Sequence, residues 1–404
     1  MWGGAAAGAP RRMRSILSLK DLEPAARRFL PRPIFGYVSG AAEDERSYAA
    51  AQDAWGDWAF LPRVLRNVAG RSQTARLLGR DWRSPFGIAP MGMAALSAYR
   101  GDVVMARAAG AAGVPFILSG SSLIRLEEVI EANPDAWFQA YLPGEAARID
   151  ALLDRAAAAG FGTLVVTVDV PVGGNRENLA RAGFSSPLKP TPRLAWDGAI
   201  RPRWIAEVMA PTLLRHGMPH FENSFAERGA PILSRNVERD FSARDHFDWS
   251  HIARIRERWR GPLVLKGVVR AEDVAAARAA GIDAAILSNH AGRQLDGMLA
   301  PLRALPAAVS AAGEMPVLLD SGVRRGADVL KALALGARFV LVGRPMLYAA
   351  ALAGEAGTAH AIALLRGEID RNLALLGCRD LSELGPELLT PARETLFGGG
   401  AREP

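Results

Sequence analysis

The chain has 404 residues, of which 50% are hydrophobic and 23% are charged, and its formal net charge is +7. A single cysteine excludes a disulfide framework and favours a reducing, cytoplasmic location, and no run of 18 apolar residues predicts a transmembrane helix. The basic balance allows an anionic small molecule or an anionic membrane surface as a partner, whereas the absence of long Lys/Arg runs argues against nucleic acid.

The N-terminal region divides into a leader and a cap. Residues 1–18 are rich in Ala and Gly and then basic, without the apolar core of a signal peptide, and we expect a flexible leader. Residues 19–384 are predicted to form one domain, with a C-terminal tail at 385–404. The start of this domain, from 19 to about 79, is expected to form a helical cap with a short hairpin.

Short apolar runs follow the cap, and sequence typical of helices separates most of them. The runs lie at 86–90, 114–119, 137–141, 163–169, 263–267, 284–290, 317–322 and 339–344. Such a repeat of strands and helices predicts an α/β fold, a (β/α)8 TIM barrel from about 84 to 366. An open doubly wound sheet is the alternative. The barrel is favoured because polar residues end every strand, whereas no strand is followed by a glycine fingerprint.

A long interval between the fourth and fifth strands predicts an insertion at about 175–248. Its part from 178 to 220 has 6 basic and 2 acidic side chains and includes an apolar stretch at 204–214. A basic and partly apolar segment is a candidate for lying on a membrane surface. A lid over the active site, packed on its own protein, is the alternative, and the two interpretations are compatible.

Two loops near the C-terminus have features of a phosphate site. The loops after strands seven and eight of a barrel are its usual phosphate site, where glycines let backbone N–H groups approach and arginines add charge. A solvated helix start is the alternative for the arginines. The predicted phosphate ligands are Asp320, Gly322, Arg324, Gly343 and Arg344.

A second group of strand-end residues suits a flat, polar, redox-active ring. Gln139 and Thr167 can pair with ring carbonyl and N–H groups. Lys266 ends an apolar strand and needs a negative partner, which a flavin that becomes anionic on reduction would supply. An ion pair with a barrel carboxylate is the alternative for this lysine. The group consists of Pro90, Met91, Gly92, Ser119, Gln139, Thr167 and Lys266.

A third group suits an acid substrate. His290 and Arg293 place a proton acceptor beside a carboxylate-binding fork. Asp169 can orient His290, and Arg176 can form a two-pronged clamp with Arg293. A helix-capping Asp and a hydrogen-bonded core His are the alternatives. The other histidines have no spacing typical of a metal site, and we predict none. The group consists of Tyr37, Tyr141, Asp169, Arg176, His290 and Arg293.

These motifs together resemble the FMN-dependent L-2-hydroxy acid oxidase and dehydrogenase family. The similarity covers about residues 19–384, with its most specific motifs at 37–45, 138–141, 167–169, 266–267, 288–296, 320–326 and 343–344. It implies FMN as the cofactor and oxidation of a lactate- or mandelate-like L-2-hydroxy acid to the 2-keto acid.

The resemblance also implies a role for each residue of the site. His290 is implied to be the base, with Asp169 as its partner. Carboxylate and hydroxyl binding is implied for Tyr37, Tyr141, Arg176 and Arg293. Lys266 is implied to stabilise the reduced flavin, and we add Ser288, in the same motif as His290, to the cofactor-binding residues.

Departures from the family pattern bear on the electron acceptor and the substrate. Gly92 and the insertion look more like the membrane-associated dehydrogenases, so we expect a quinone-type acceptor and peripheral association with the inner face of the plasma membrane. The alternatives are an oxidase that uses O2 and makes hydrogen peroxide, an FMN-dependent isomerase, and a phosphate-binding barrel without redox chemistry. Ala291 replaces the usual Gly and, with Met93 and Ala140, is expected to shape the substrate pocket. A homotetramer is expected by the same resemblance.

Overall fold

The computed structural model describes residues 10–142, 144–185, 188–234 and 244–392. Its strands are β1 (Trp58–Phe60), β2 (Ala75–Leu77), β3 (Arg80–Trp82), β4 (Phe86–Ile88), β5 (Ile117–Ser119), β6 (Trp137–Ala140), β7 (Leu164–Thr167), β8 (Leu263–Val268), β9 (Ala284–Leu287), β10 (Val317–Leu319), β11 (Phe339–Val342) and β12 (Leu389–Pro391). Its α-helices are α1 (Leu22–Phe29), α2 (Arg32–Ser39), α3 (Arg46–Asp53), α4 (Gly101–Ala112), α5 (Leu126–Ala132), α6 (Ala146–Ala159), α7 (Glu177–Ala182), α8 (Pro192–Ala199), α9 (Pro202–Trp204), α10 (Ala210–His216), α11 (Trp249–Arg258), α12 (Ala271–Ala279), α13 (Pro301–Ala312), α14 (Gly326–Ala334) and α15 (Arg344–Leu376).

The eight strands β4 to β11 form one parallel barrel. The sheet order is β4-β11-β10-β9-β8-β7-β6-β5, and a parallel bridge between Ile88 and Phe116 joins its two ends. The strands are apolar on both faces because helices cover them outside and side chains fill the barrel inside. The predicted barrel is therefore confirmed, and the open sheet is excluded. Most of the observed strands end one to three residues before the predicted runs do. The predicted polar residues therefore lie either near the last positions of the strands, as Ser119, Gln139, Thr167 and Lys266 do, or in the loops that follow.

The N-terminal cap consists of α1 to α3 and two small antiparallel sheets. Strands β2 and β3 form the predicted hairpin, and both residues of its turn, Leu78 and Gly79, have a positive φ, as hairpin turns of this length require. Strand β1 pairs with β12 near the C-terminus. Part of the predicted tail therefore belongs to the folded domain, while residues 393–404 lie outside the described ranges.

The predicted flexible leader needs correction at residues 10–18. Met13 and Ile16 are buried in the main core, and Arg12 forms an ion pair with Glu207 of the insertion. These residues are held because two apolar side chains are removed from water, a contribution that the basic composition of the segment concealed. Residues 1–9 of the leader lie outside the described part of the chain.

The insertion leaves the barrel after β7 and includes α7 to α10. A π-helical segment, Ile205–Met209, joins α9 to α10. Trp204 and Val208 are buried, and the Trp204 indole donates a hydrogen bond to the Leu96 carbonyl at 2.9 Å, whereas Leu213 and Leu214 are 43% and 85% exposed. The apolar stretch thus packs one face on the protein and leaves the other face in solvent. Residues 186–187 and 235–243 of the insertion lie outside the described ranges.

In the described residues, no helix is long and apolar enough to cross a membrane.

Candidate active site

One cavity lies at the carboxyl ends of the barrel strands and collects most of the predicted site residues. All eight barrel strands contribute to it at or just after their ends, together with the cap and the insertion. The predicted residues that line it are Tyr37, Pro90, Met91, Gly92, Tyr141, Thr167, Arg176, Lys266, His290, Arg293, Asp320, Gly322, Arg324, Gly343 and Arg344. The other four, Ser119, Gln139, Asp169 and Ser288, lie behind this lining.

The His290 ring is held from both sides. Its Nδ1 lies 3.0 and 3.1 Å from the two carboxylate oxygens of Asp169, and its Nε2 lies 3.4 Å from the Tyr141 hydroxyl. Burial lowers the pKa of His290 below its ordinary value, against the opposing effect of Asp169. Burial alone would raise the pKa of Asp169, but attraction to His290 outweighs it and keeps that pKa below its usual range. The geometry therefore pairs an imidazole that burial inclines to release its proton with a carboxylate that can stabilise the ring when it is charged.

Two arginines converge on the same end of the cavity. Arg293 donates to the carbonyls of Tyr37 and Gly40 at 2.7 and 2.8 Å, and its guanidinium lies 5.0 Å from the centre of the Tyr37 ring. Arg176 donates to the Arg293 carbonyl at 2.7 Å and to the Gln294 side chain. Burial and the nearby charge of Arg176 lower the pKa of Arg293 to about 10, so its guanidinium remains cationic at neutral pH. Two partly buried like charges favour an anion between them.

Lys266 forms an ion pair with a barrel carboxylate, which the sequence analysis gave as the alternative to a flavin as its negative partner. Its ammonium lies 3.1 Å from Asp320 and donates to the Ser288 hydroxyl at 2.8 Å. Ser321 donates to the other Asp320 oxygen at 2.8 Å, so this carboxylate is shared. Lys266 nevertheless lines the cavity, which means that the ion pair and a negative ligand can use the same ammonium.

The phosphate end is built from the loops after β10 and β11. Gly322 has a φ of +83°, and a Cβ there would lie 2.1 Å from the Ala51 carbonyl oxygen, so only glycine lets this loop approach α3. Arg324 has a buried NH2 group without a hydrogen-bond partner among the described residues. Arg344 instead donates to the carbonyls of Val38 and Gly40, both at 2.8 Å, and burial lowers its pKa to about 10. Arg324 thus has the spare donor, while Arg344 ties the cap to the barrel.

Two orphaned polar atoms test whether a flavin ring fits. The Gln139 amide nitrogen and the Thr167 hydroxyl are buried and have no hydrogen-bond partner within the part of the chain that the structure describes. Ser119 donates to the Gln139 amide oxygen at 3.2 Å, which leaves the amide N–H2 as the free group. Unpaired buried polar groups cost about 1–3 kcal/mol each, and a ring edge with carbonyl and N–H groups would satisfy both.

The substrate wall contains residues that sequence reasoning did not place. Phe221 of the insertion lines the cavity, and its position is fixed because its N–H donates to Ala230 and its carbonyl accepts from Gly229 at 2.8 Å. Its only signal in the sequence is an apolar residue between two polar ones. Met93 and Ala291 line the cavity as expected, whereas Ala140 does not. That prediction was wrong because alternate residues of a strand face opposite sides.

Ala291 has a strained backbone conformation that the sequence analysis did not predict. Both His290 and Ala291 have a φ of +53°, a left-handed conformation that is unfavourable for residues with a Cβ. This turn directs the His290 ring into the cavity, so the strain lies where the chemistry is.

Comparisons with known proteins find relatives over almost the whole chain. The family model for FMN-dependent dehydrogenases matches residues 26–391. (S)-Mandelate dehydrogenase of Pseudomonas putida is 37% identical over 383 residues, which are 93% of this chain and 94% of that protein. L-Lactate dehydrogenase of Caulobacter vibrioides is 41% identical over 383 residues, which are 93% of this chain and 97% of that protein.

Solved structures give the same result. The crystal structure of the monotopic membrane protein (S)-mandelate dehydrogenase superposes with a TM-score of 0.85 at 36% identity and covers 93% of this chain and 100% of that one. A mandelate oxidase mutant with (S)-mandelic acid superposes with a TM-score of 0.76 at 32% identity, covering 93% of this chain and 98% of that one.

Proposed function

This chain belongs to the FMN-dependent dehydrogenase family, and we propose that it oxidises a lactate- or mandelate-like L-2-hydroxy acid to the 2-keto acid. The observation that carries the proposal is the convergence of His290 with two partly buried arginines, Arg176 and Arg293, in a cavity that lies beside two orphaned polar groups, the Gln139 amide nitrogen and the Thr167 hydroxyl. Relatives of both lactate and mandelate dehydrogenase type match almost the whole chain.

FMN fits the residues of the cavity. Its ring would lie against Gln139, Thr167 and Lys266, and its phosphate against the loops that contain Gly322 and Arg324. When bound, it accepts the two electrons that leave the substrate. The ammonium of Lys266, already 3.1 Å from Asp320, would add positive charge beside the ring, where a cation favours reduction.

The side chains suggest how the acid is bound and deprotonated. Arg176 and Arg293 would clamp the substrate carboxylate with the help of the Tyr37 hydroxyl, and Tyr141 would bind the 2-hydroxyl group. If Nδ1 of His290 donates its proton to Asp169, as the 3.0 Å distance suits, Nε2 is left as the free base facing the cavity. The carboxylate then stabilises the imidazolium that forms.

A panel of acids tests this proposal directly. The FMN-bound protein would be mixed anaerobically with L-lactate, (S)-mandelate, glycolate and longer L-2-hydroxy acids, and the loss of flavin absorbance would be followed. We expect at least one acid to bleach the flavin, and the His290→Ala variant to stay yellow with every acid. A flavin that no acid reduces would refute the proposed activity, and bleaching of His290→Ala at the normal rate would remove His290 from it.

The electron acceptor is proposed to be a quinone-type molecule rather than O2. The proposal follows the dehydrogenases among the relatives, although mandelate oxidase structures also superpose well. Measuring hydrogen peroxide in air and the reduction of an added quinone analogue separates the two. Stoichiometric peroxide, with no preference for the quinone, would show an oxidase instead.

We also propose that the insertion binds the surface of an anionic membrane. Its exposed apolar side chains lie near exposed basic ones, which is the composition of interfacial segments. The related (S)-mandelate dehydrogenase is described as a monotopic membrane protein. The exposed apolar residues are Trp196, Ile200, Leu213 and Leu214. The exposed basic residues are Lys189, Arg193, Arg203 and Arg215.

Flotation with vesicles tests this surface. Leu214→Asp should weaken binding to vesicles that contain phosphatidylglycerol, because it places a negative charge on the contact face. Leu375→Asp is the matched control, since Leu375 is also exposed, at 68%, but lies on α15 outside the insertion. Equal flotation of both variants and wild type, or no flotation of wild type, would contradict the membrane role.

A further inference from the structure

Arg244 is the largest side chain that is fully buried in the described structure, and the reaction outlined above does not use it. It lies in the loop before α11, at the end of the insertion, and is 2% exposed. A buried guanidinium is costly to desolvate, so what it contacts is informative.

The Arg244 guanidinium links the loops that follow two neighbouring strands. Its Nε donates to the Leu142 carbonyl at 2.9 Å, and its NH2 donates to the Thr167 carbonyl at 2.7 Å. A longer bond of 3.4 Å joins its NH1 to the Val170 carbonyl. Leu142 and Val170 lie beyond the ends of β6 and β7, and Thr167 is the last residue of β7, so these carbonyls lie at or past the edge of the sheet, where a charged donor satisfies them well.

The three carbonyls bracket the two residues that hold the His290 ring. Leu142 directly follows Tyr141, while Thr167 and Val170 lie on either side of Asp169. The guanidinium also lies 5.7 Å from the centre of the Tyr141 ring, within reach of a cation–π contact. Since Tyr141 contacts Nε2 of His290 and Asp169 contacts Nδ1, one side chain fixes the backbone of both partners of the ring.

We propose that Arg244 is a positioning residue, which sets the spacing of Tyr141 and Asp169 and thereby the orientation of His290 toward the substrate. This inference rests on the proposed 2-hydroxy acid oxidation. The insertion would then contribute two residues to the reaction: Arg244, which positions the His290 ring, and Phe221, which lines the cavity. Arg244 is not among the described residues that line the cavity, so its effect is exerted through Tyr141 and Asp169.

The main test compares Arg244→Met with wild type and with Arg254→Met. Arg254 lies on α11, has a side chain 47% exposed and pairs with Asp150, so its loss should leave the rate unchanged. A misplacement of about 1 Å can cost about 100-fold, so we expect the flavin of Arg244→Met to be reduced roughly 30- to 100-fold more slowly at saturating substrate. The substrate constant should change little because Arg176 and Arg293 are untouched. A normal reduction rate in FMN-bound Arg244→Met would overturn the inference.

Double variants separate positioning from a general loss of stability. In an Asp169→Asn background, adding Arg244→Met should cost less than about 3-fold, because both changes disturb the same pair. If the rate loss of the double variant equals the product of the losses of Asp169→Asn and Arg244→Met, Arg244 acts independently of the His290 and Asp169 pair. If Arg244→Met does not fold, Arg244→Lys decides instead. It keeps the charge without the fork that reaches three carbonyls, and an unchanged reduction rate would again overturn the inference.

A readout without substrate keeps this test distinct from the proposed activity. The titration of His290 can be followed by NMR in the FMN-bound protein. Asp169→Asn should shift this titration clearly in the wild-type background and much less in the Arg244→Lys background. Equal shifts would overturn the positioning role even if no acid tried reduced the flavin, whereas a failure of wild type to be reduced would refute only the proposed function.

Discussion

Replacing Asp169 by Asn tests the central pair of the site most directly. The side chain of Asp169 is 7% exposed, and its carboxylate lies 3.0 Å from Nδ1 of His290. Asn has the same shape, so the change removes the charge with little change in packing. An amide N–H directed at Nδ1 would also favour the wrong tautomer, in which Nε2 bears the proton and cannot act as a base.

The size of the effect follows from the geometry. At 3.0 Å, and with an effective dielectric constant near 20, a carboxylate attracts an imidazolium by about 5.5 kcal/mol. An Asn oxygen retains part of this through a hydrogen bond, so we expect the barrier to rise by about 3–5 kcal/mol, a rate loss of roughly 10²- to 10⁴-fold. The pKa of His290 should fall further, since Asp169 is what opposes the effect of burial.

Anaerobic stopped-flow measurement of flavin reduction, across pH, is the assay. The acid limb of the rate of reduction at low substrate should move to lower pH in Asp169→Asn, while the FMN content stays that of wild type. Asp150→Asn is the matched control, because that carboxylate forms an ion pair with Arg254 on the outside of the barrel. Flavin reduction in Asp169→Asn within about 3-fold of wild type would refute the reasoning from charge and distance.

Three further changes probe the clamp, the ring site and the fold. Arg293→Met should raise the substrate constant by roughly 10- to 150-fold, since a charged hydrogen bond is worth about 1.5–3 kcal/mol. An unchanged constant would exclude Arg293 from the clamp. Lys266→Met should leave Asp320 without its cation, and we expect weaker FMN retention in equilibrium dialysis and slower flavin reduction. Burial raises the pKa of Asp102 to about 7, above its value in the unfolded chain. The folded protein therefore resists ionisation of this carboxyl, and the free energy of unfolding falls by about 4 kcal/mol as pH rises from about 4 to 7. Urea melts of Asp102→Asn should therefore show less loss of stability over that range than wild type, and parallel pH profiles would contradict this.

Short-range patterns were sufficient to predict the barrel. The strands β4 to β11 are apolar because both faces are covered, and that leaves a direct trace in the sequence as eight buried runs. Once the strands are known, the parallel barrel requires their carboxyl ends to meet, which is why His290, Lys266 and Arg324 could be assigned to one site before any coordinates were known. The family resemblance supplied the cofactor and the roles, which spacing alone does not contain.

Other features depended on contacts between segments far apart in the chain. Met13 is buried within a segment of leader-like composition, and Phe221 enters the cavity from an insertion with no recognisable local signal. Lys266 and Asp320 were assigned to separate groups, although the fold pairs them at 3.1 Å.

The sequence by itself determined the eight-stranded architecture and which strand ends bear reactive side chains, because hydrophobic periodicity and strand-end polarity are local properties. Only the tertiary structure decided how these side chains divide their bonds. Arg324 keeps a free donor while Arg344 is used to hold the cap, and Arg244 binds the carbonyls around Tyr141 and Asp169. Arg324 and Arg344 have the same charge and differ in this way because a guanidinium bonds whichever carbonyls the packing of distant segments brings to it.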